Sequence, residues 1–183
     1  GRATYFCGAA PSGCGKTTTA MAGDLFVGDD LAQMWIADDG SLRAINPEKG
    51  IFGIVNDVNW DGDPYLMKVL REKGQEVIWT NVLVDDDHKP HWEGSGEEPP
   101  TKGRNFQGDW WEGIEDADGR RIPISHGNAR ITVRNEAIGN YDIEAAESPR
   151  GAHVKVITYS GRDSDTMPPI WVAKNADHGV VIG

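Results

Sequence analysis

The stretch APSGCGKTTT, residues 10–19, says more about the fold of this chain than any other. Its Gly15-Lys16-Thr17 ends the pattern G-x-x-x-x-G-K-[ST], in which backbone N–H groups hold phosphate oxygens, the lysine reaches the outer phosphates and the hydroxyl binds a metal ion. The first glycine of that pattern is missing, because position 10 is Ala10. An apolar run (2–10) precedes the loop, and KTTTAMAG (16–23) follows it with a terminal glycine. We therefore predict a strand, a phosphate-binding loop and a short helix, with a plain strand–turn–helix as the alternative.

Cys14 lies inside this loop, beside a lysine and a predicted helix N-terminus. Both neighbours favour the thiolate form of a cysteine. An activated thiol and a small residue that merely fills the loop are equally compatible with the residues alone. Cys7, on the apolar strand, is expected to be an inert core residue. These two cysteines cannot build a disulfide framework, so we expect a reduced, cytoplasmic protein.

A pair of aspartates, Asp29 and Asp30, follows the loop. The run DLFVGDD (24–30) predicts a second strand whose end delivers both carboxylates to the metal of the loop or to Lys16. The alternative is a turn with two solvated carboxylates. The separation from Lys16 is short for an ordinary crossover between parallel strands. An atypical, compact nucleotide-binding fold follows from that spacing.

The rest of the chain predicts many short strands and few helices. Residues 34–45 predict a hairpin around Asp39-Gly40, and residues 63–74 predict the clearest helix. A polar stretch, 85–109, is expected to be a surface loop, broken briefly at His91-Trp92-Glu93. Five further runs predict strands: 76–84, 129–134, 153–159, 169–174 and 179–182. We assign the fold as α/β of an α+β-like type: one β-rich, mixed-sheet domain over residues 1–183, with few helices and an atypical P-loop.

The charge and hydropathy of the chain limit its partners. The formal net charge is −11 at pH 7, which disfavours nucleic acid, since that partner requires lysine and arginine clusters. A nucleotide remains compatible, because one loop, one lysine and a divalent cation neutralise it locally. The sequence lacks both an apolar run of about 18 residues and a signal-like start, so we expect no membrane partner. It also begins without a methionine, which favours a fragment over a whole gene product.

Several segments resemble the GTP-dependent phosphoenolpyruvate carboxykinases in order and spacing. They cover nearly the whole chain: APSGCGKTTT, FVGDDLAQM, GSLRAINPEKGIFG, IWTNV, HWEG, HGNARI, ESPRG, YSGR and HGVVIG. Members of that family carry a reactive cysteine at the position of Cys14, and the related ATP-dependent enzymes lack it. The resemblance implies a phosphoenolpyruvate carboxykinase-like fold and the gluconeogenic reaction of oxaloacetate with GTP to give phosphoenolpyruvate, CO2 and GDP. It also implies Mn2+, Mg2+ or both as cofactors.

The resemblance assigns roles residue by residue. Ser12, Asn128 and Arg130 match substrate contacts, and Arg130 also bridges to the transferred phosphoryl group. Asp30 and Thr17 match metal ligands, with Asp29 supporting Asp30. The nucleotide-binding residues are Gly13, Cys14, Gly15, Lys16, Thr17, Thr18, Arg130 and Arg162. Cys14, Lys16 and Arg130 are the catalytic candidates, although Cys14 is not expected to act as a nucleophile, because the reaction needs no covalent intermediate.

The chain also departs from the family pattern. Thr18 stands where many members have asparagine, Ile131 where they often have phenylalanine, and Asp163 where a second arginine is usual. The family's chain is several-fold longer, with a lysine and a histidine that complete the manganese site and an aromatic guanine pocket elsewhere. We therefore expect the central nucleotide-binding core of an often monomeric enzyme, inactive by itself. The alternatives are another compact P-loop phosphotransferase, of the ATP-dependent carboxykinase or HPr-kinase-like type, and a non-catalytic nucleotide-binding fragment.

Overall fold

The computed structural model describes residues 3–11, 14–159, 161 and 172–182. Ser12, Gly13, Arg162 and Asp163 therefore lie outside the described residues. The strands in chain order are β1 Tyr5–Ala9, β2 Gln33–Ile36, β3 Leu42–Ile45, β4 Gly50–Ile54, β5 Val77–Thr80, β6 Leu83–Val84, β7 Pro90–His91, β8 Lys102–Asn105, β9 Gly108–Trp111, β10 Arg130–Arg134 and β11 Ala152–Tyr159. The α-helices are α1 Lys16–Met21, α2 Pro64–Arg71, α3 Ile143–Ala146 and α4 Ala176–Ile182, and a 3-10 helix covers Asn135–Ala137.

The first sheet contains β1, which leads into the segment between β1 and α1, where the sequence predicts a phosphate-binding loop; we call this segment the phosphate loop. Its strand order is β1-β11-β3-β2, with β1 parallel to β11 and the other pairs antiparallel. Strand β1 ends at Ala9, directly before the loop, and α1 begins at Lys16. The predicted strand before this stretch and the predicted short helix within it are thus confirmed, while Ser12 and Gly13 of the loop lie outside the described residues. The predicted hairpin over 34–45 is also confirmed, because β2 and β3 pair and Gly40 takes the positive φ of 78° that its turn requires.

The second sheet carries the main hydrophobic core. Its order is β4-β10-β5, with all pairs antiparallel. Alternate residues of β10, Ile131 and Val133, are buried, as expected for a strand with one covered face. Helix α2 contributes its apolar stripe to the same core, and Trp92 fills the centre, where its indole N–H donates a hydrogen bond of 2.9 Å to the carbonyl of Val58. The helix predicted over 63–74 and the strand predicted over 129–134 are confirmed.

The third sheet corrects the prediction for residues 85–109. That stretch is not a surface loop throughout, because it contains β7, β8 and the start of β9 in a sheet of order β7-β6-β8-β9. A second core lies under this sheet, with buried Leu83, Trp110, Ile122 and Ile124. The polar composition misled the prediction because these strands are short and expose much of their surface.

Other element predictions also need correction. Residues 24–30, all of which the structure describes, form a single bridge at Phe26 instead of a strand. The run 76–84 is two strands, because Asn81 takes a positive φ of 60° between them. Residues 179–182 belong to helix α4, and the strand β4 was not predicted. Of the strand predicted over 169–174, residues 169–171 lie outside the described residues and 172–174 are in neither strand nor helix.

At the level of class, the chain is β-rich with mixed sheets and few helices, as predicted. The predicted strand over 153–159 corresponds to β11. None of the helices in the described part of the chain has the length and apolar character needed to cross a membrane.

Candidate active site

Gly15 shapes the phosphate loop where it meets α1. It precedes the helix with φ 82° and ψ 24°, a left-handed conformation that glycine adopts without strain. Apart from its own chain neighbours, no described residue has an atom within 4 Å of a Cβ built at Gly15, so backbone conformation and not space requires the glycine. Within the loop, the amide of Cys14 donates a hydrogen bond of 3.3 Å to the carbonyl of Pro11. The amide of Thr19 donates one of 2.9 Å to the carbonyl of Gly15, which joins the end of the loop to the first turn of α1.

Thr17 joins the loop to the pair of aspartates. Its hydroxyl donates a hydrogen bond of 2.6 Å to Oδ2 of Asp29, and both side chains are half-buried. Asn46 holds the backbone of the same aspartate, with its amide nitrogen 3.3 Å from the carbonyl of Asp29. Asp30 takes a positive φ of 72° and is exposed. The turn at 28–30 therefore brings the carboxylates to the loop, although no strand precedes them.

A pocket of about 470 Å³ adjoins these residues. Cys14, Lys16, Asp29 and Asp30 all line it, so the structure brings together four residues that were predicted from the sequence. Cys7 lines the same pocket and is half-buried instead of fully enclosed in the core. Burial raises the pKa of the Cys7 thiol.

Arg130 and Asn128 form a second group on the neighbouring sheet. The guanidinium Nε of Arg130 donates a hydrogen bond of 2.8 Å to Oδ1 of Asn128, and its Cζ lies 4.8 Å from the centre of the Phe52 ring. Neither residue is among the described residues lining the pocket. The sheet nevertheless packs on α1, because a Cβ built at Gly53, which pairs with the residue after Arg130, would lie 3.9 Å from Cγ2 of Thr17.

Asp63, which lies near Thr18, is a residue that the sequence did not identify as part of the site. Asp63, buried at the start of α2, has a raised pKa because burial disfavours its charge, while the nearby side chain of Thr18 acts in the opposite direction. In the sequence Asp63 indicated only the acidic start of a helix. This contact connects the phosphate loop helix to the main core through α2.

The oxygen donors near the loop suit a hard divalent cation. The hydroxyl of Thr17 and the carboxylates of Asp29 and Asp30 are the ligand types that Mg2+ and Mn2+ prefer. Within residues 3–11, 14–159, 161 and 172–182, no group of three or more histidine, cysteine, aspartate or glutamate side chains could hold a metal ion. The donors present therefore fit part of a coordination sphere, with phosphate oxygens, water or further groups needed to complete it.

The whole chain is similar to a known family of P-loop domains. Residues 1–183 match the family model described as phosphoenolpyruvate carboxykinase C-terminal P-loop domain. The chain is 50% identical over 183 residues to the phosphoenolpyruvate carboxykinase [GTP] of Pyrococcus furiosus, which covers 99% of this chain and 29% of that protein. It is 48% identical over 182 residues to the protein of the same name from Thermococcus kodakarensis, again covering 99% and 29%. The corresponding protein of Sulfurisphaera tokodaii is 41% identical over 178 residues, covering 97% of this chain and 28% of its own length. The chain thus spans less than a third of these relatives.

Proposed function

Because the chain belongs to the phosphoenolpyruvate carboxykinase C-terminal P-loop domain family, we propose that it is the nucleotide- and metal-binding core of a GTP-dependent phosphoenolpyruvate carboxykinase. The whole enzyme would convert oxaloacetate and GTP to phosphoenolpyruvate, CO2 and GDP. Residues 1–183 would form one domain with the fold of that family. The observation that carries the proposal is the hydrogen bond from Thr17 to Asp29, a residue that lines the same pocket as Lys16.

The charges around the pocket support a metal–nucleotide complex over a free nucleotide. Among the described residues that line it, Lys16 is the cationic one, whereas Asp24, Asp29 and Asp30 are acidic. A triphosphate alone would meet more negative than positive charge there. When bound, Mg2+ or Mn2+ supplies the positive charge that stabilises phosphoryl oxygens. We assign the phosphates to the loop from Gly13 to Thr18, with Lys16 on the outer phosphates and Thr17 and Asp30 toward the metal.

Arg130 would serve the substrate side of the reaction. Asn128 fixes one edge of its guanidinium, and the ring of Phe52 covers one face, so the remaining N–H groups have a defined direction. A planar guanidinium suits both the carboxylates of oxaloacetate and a phosphoryl group in transfer. Ser12 and Arg162, which lie outside the described residues, are proposed for substrate and nucleotide phosphates respectively. Positioning and charge neutralisation of this kind account for most of the catalysis of phosphoryl transfer.

Nucleotide binding by the chain itself tests the first half of the proposal. We expect Mn·GTP to bind the chain, and we expect Lys16→Met to weaken that binding by about tenfold or more, since about 1.4 kcal/mol corresponds to a factor of ten. Lys68→Met, which removes the same charge from the exposed face of α2, is the matched control. Equal affinities for the two variants would contradict the assignment of the phosphates to this loop.

A chimera tests the second half. Residues 1–183 would replace the matching segment of the Pyrococcus furiosus enzyme, and oxaloacetate-dependent production of phosphoenolpyruvate would be measured with GTP and with ATP. We expect turnover with GTP that is abolished by Lys16→Met. Hydrolysis or transfer of the nucleotide's outer phosphoryl group without production of phosphoenolpyruvate would favour another P-loop phosphotransferase. A folded chimera that binds Mn·GTP without turnover would favour a non-catalytic nucleotide-binding segment.

A further inference from the structure

The turn at residues 138–142, which we call the clamp segment, contacts each part of the chain that leads to or from the phosphate loop. It lies between the 3-10 helix and α3, far from the loop in sequence. Before the loop, the hydroxyl of Tyr5 at the start of β1 donates a hydrogen bond of 2.6 Å to Oδ2 of Asp142. That hydrogen bond is the main cause that raises the pKa of Tyr5 to about 12, so the hydroxyl stays protonated and remains a donor.

After the loop, Asn140 of the clamp segment holds the end of α1. Its side-chain nitrogen donates to the carbonyl of Met21 at 3.3 Å and to that of Gly23 at 3.0 Å. Carbonyls at the end of a helix have no partner within the helix, so Asn140 acts as a cap supplied from a distant part of the chain. The residue is 6% exposed, and its Oδ1 is buried without a hydrogen-bond partner among the described residues. Loss of the Asn140 side chain would remove a hydrogen-bond donor from two backbone carbonyls at the end of α1, and a buried carbonyl left without a partner is costly.

The same segment fixes the approach to the aspartate pair. The amide of Phe26 donates to the carbonyl of Asn140 at 2.8 Å, and the amide of Asp142 donates to the carbonyl of Phe26 at 2.7 Å. The rings of Phe26 and Tyr141 pack with centroids 6.1 Å apart. Phe26 is buried and precedes the turn at 28–30 by a few residues. The position of Asp29 beside Thr17 therefore depends on where this segment holds Phe26.

We propose that Asn140 is a positioning residue for the phosphate loop: its side chain fixes the end of α1, and its backbone carbonyl fixes Phe26, so that Thr17 and Asp29 meet. The inference rests on the proposed function, because the groups that it positions are the proposed phosphate and metal ligands. Asn140 touches neither Thr17 nor Asp29 through the hydrogen bonds described here. It acts on the site through α1 and Phe26.

Asn135 provides a matched control within the same chain. It is also a buried asparagine, 1% exposed, with an Oδ1 that lacks a partner among the described residues. Its side-chain nitrogen donates to the carbonyl of Glu48 at 3.0 Å, a residue before β4 and not part of the phosphate loop. Alanine at either position removes the same atoms from a buried site, so a difference between the two variants reports what the asparagine holds.

Hydrogen–deuterium exchange of the unliganded chain tests the proposal without depending on nucleotide. Asn140→Ala should accelerate amide exchange over residues 16–31 by about tenfold, with amides of β4 and β10 changed by less than about twofold. Asn135→Ala should not show this selectivity. If Asn140→Ala does not fold, Tyr5→Phe, which removes one hydrogen bond at a half-buried position, should accelerate exchange of the same residues to a smaller extent. Tyr65→Phe, at an exposed position of α2, is its control. Unchanged exchange over 16–31, or the same pattern for both asparagine variants, would overturn the proposal.

Titration with Mn·GDP separates this inference from the proposed function. Asn140→Ala should weaken Mn·GDP binding by about tenfold, and Asn135→Ala by less than about threefold. If the unsubstituted chain fails to bind Mn·GDP, the proposed function fails while the exchange experiment still decides the role of Asn140. If the chain binds and Asn140→Ala binds equally well, Asn140 has a merely structural role.

Discussion

The hydroxyl oxygen of Thr17 lies 2.6 Å from Oδ2 of Asp29, and this hydrogen bond joins the phosphate loop helix to the turn that carries the acidic pair. Thr17 is the last residue of the G-K-[ST] pattern, and Asp29 precedes a residue with left-handed backbone conformation. Under the proposed function, a divalent cation would bind beside these two oxygen donors, between the carboxylate and the nucleotide phosphates.

Removal of the Thr17 hydroxyl should affect the metal–nucleotide complex selectively. Thr17→Val keeps the shape of the side chain but cannot donate to Asp29 or bind a metal. We expect the affinity for Mn·GTP to fall by about tenfold, and that for metal-free GTP by less than about threefold. Thr17→Ser should restore most of the affinity, and Thr101→Val at an exposed position should leave it unchanged. Equal losses with and without Mn2+ would show that the hydroxyl does not act through the metal.

Gly28 should tolerate no side chain, because Asn46 lies against it. A Cβ at Gly28 would be 2.0 Å from the side-chain nitrogen of Asn46, which itself holds the carbonyl of Asp29. Gly28→Ala should therefore displace Asn46 and Asp29. We expect overpacking to lower the unfolding free energy by about 1–3 kcal/mol and the displaced Asp29 to weaken Mn·GTP binding. Gly62→Ala is the control, since its Cβ would make an ordinary contact of 3.6 Å with Asn59. Thermal unfolding and titration with Mn·GTP measure stability and affinity for both variants. Equal stability and equal affinity of Gly28→Ala and Gly62→Ala would contradict the prediction.

Arg130 should matter for turnover through the direction of its guanidinium. Lysine at this position keeps the charge but loses the planar group that Asn128 and Phe52 orient. In the chimera with the Pyrococcus furiosus enzyme, Arg130→Lys should lower kcat by about 100-fold, equivalent to about 2.7 kcal/mol of transition-state stabilisation, with the KM for GTP changed by less than about threefold. Arg134→Lys, at an exposed position of the same strand, is the control. A rise in KM alone would assign Arg130 to nucleotide binding instead of phosphoryl transfer.

Glu97 should make stability depend on pH in a defined direction. Burial alone would raise its pKa, but hydrogen bonds from Arg71, at 2.9 Å to each carboxylate oxygen, and from Lys89 outweigh it and hold the pKa below the ordinary 4.5. A lowered pKa contributes stability that is complete above about pH 4.5 and is lost as the pH falls through the folded-state value. Glu97→Gln should therefore cost about 2 kcal/mol at pH 7 and progressively less below pH 4.

Exposed Glu98 supplies the matched control for that measurement. Glu98→Gln should change the unfolding free energy by less than about 0.5 kcal/mol at either pH. Denaturant unfolding of the two variants across the acid range gives the comparison. A cost for Glu97→Gln that stays constant from pH 7 to pH 3 would contradict the electrostatic origin of the stabilisation.

Local signals in the sequence were sufficient for elements that depend on neighbouring residues. Gly40 takes the positive φ that its turn requires. The alternating apolar residues of β10 and the apolar stripe of α2 are the residues that are buried in these two elements. Helix α4 was missed although a local signal existed. Asn175 caps it, with Oδ1 accepting a hydrogen bond of 2.9 Å from the amide of His178, and this cap outweighs the β-branched valines that favoured a strand.

Long-range contacts explain what the sequence could not provide. Phe26 lies in an apolar run but is held by a distant turn instead of a neighbouring strand, so residues 24–30 only resemble a strand. The bond between Tyr5 and Asp142 joins residues 137 positions apart, and no periodicity indicates it. Nor does any periodicity indicate that the side chain of Asn140 holds the end of α1. The sequence pattern thus indicated the loop residues of the candidate site, whereas no pattern indicated the distant residues that hold the segments around them.

The labelling rate of Cys14 by a thiol reagent reports whether nucleotide phosphates occupy the loop between β1 and α1. The measurement uses a Cys7→Ser background, because Cys7 lines the same pocket. We predict that saturating Mn·GTP slows labelling by about tenfold or more, and that Lys16→Met removes this protection. Labelling that is indifferent to Mn·GTP in a chain whose circular dichroism shows it to be folded would contradict the account, because the nucleotide phosphates would then not occupy the loop around Cys14.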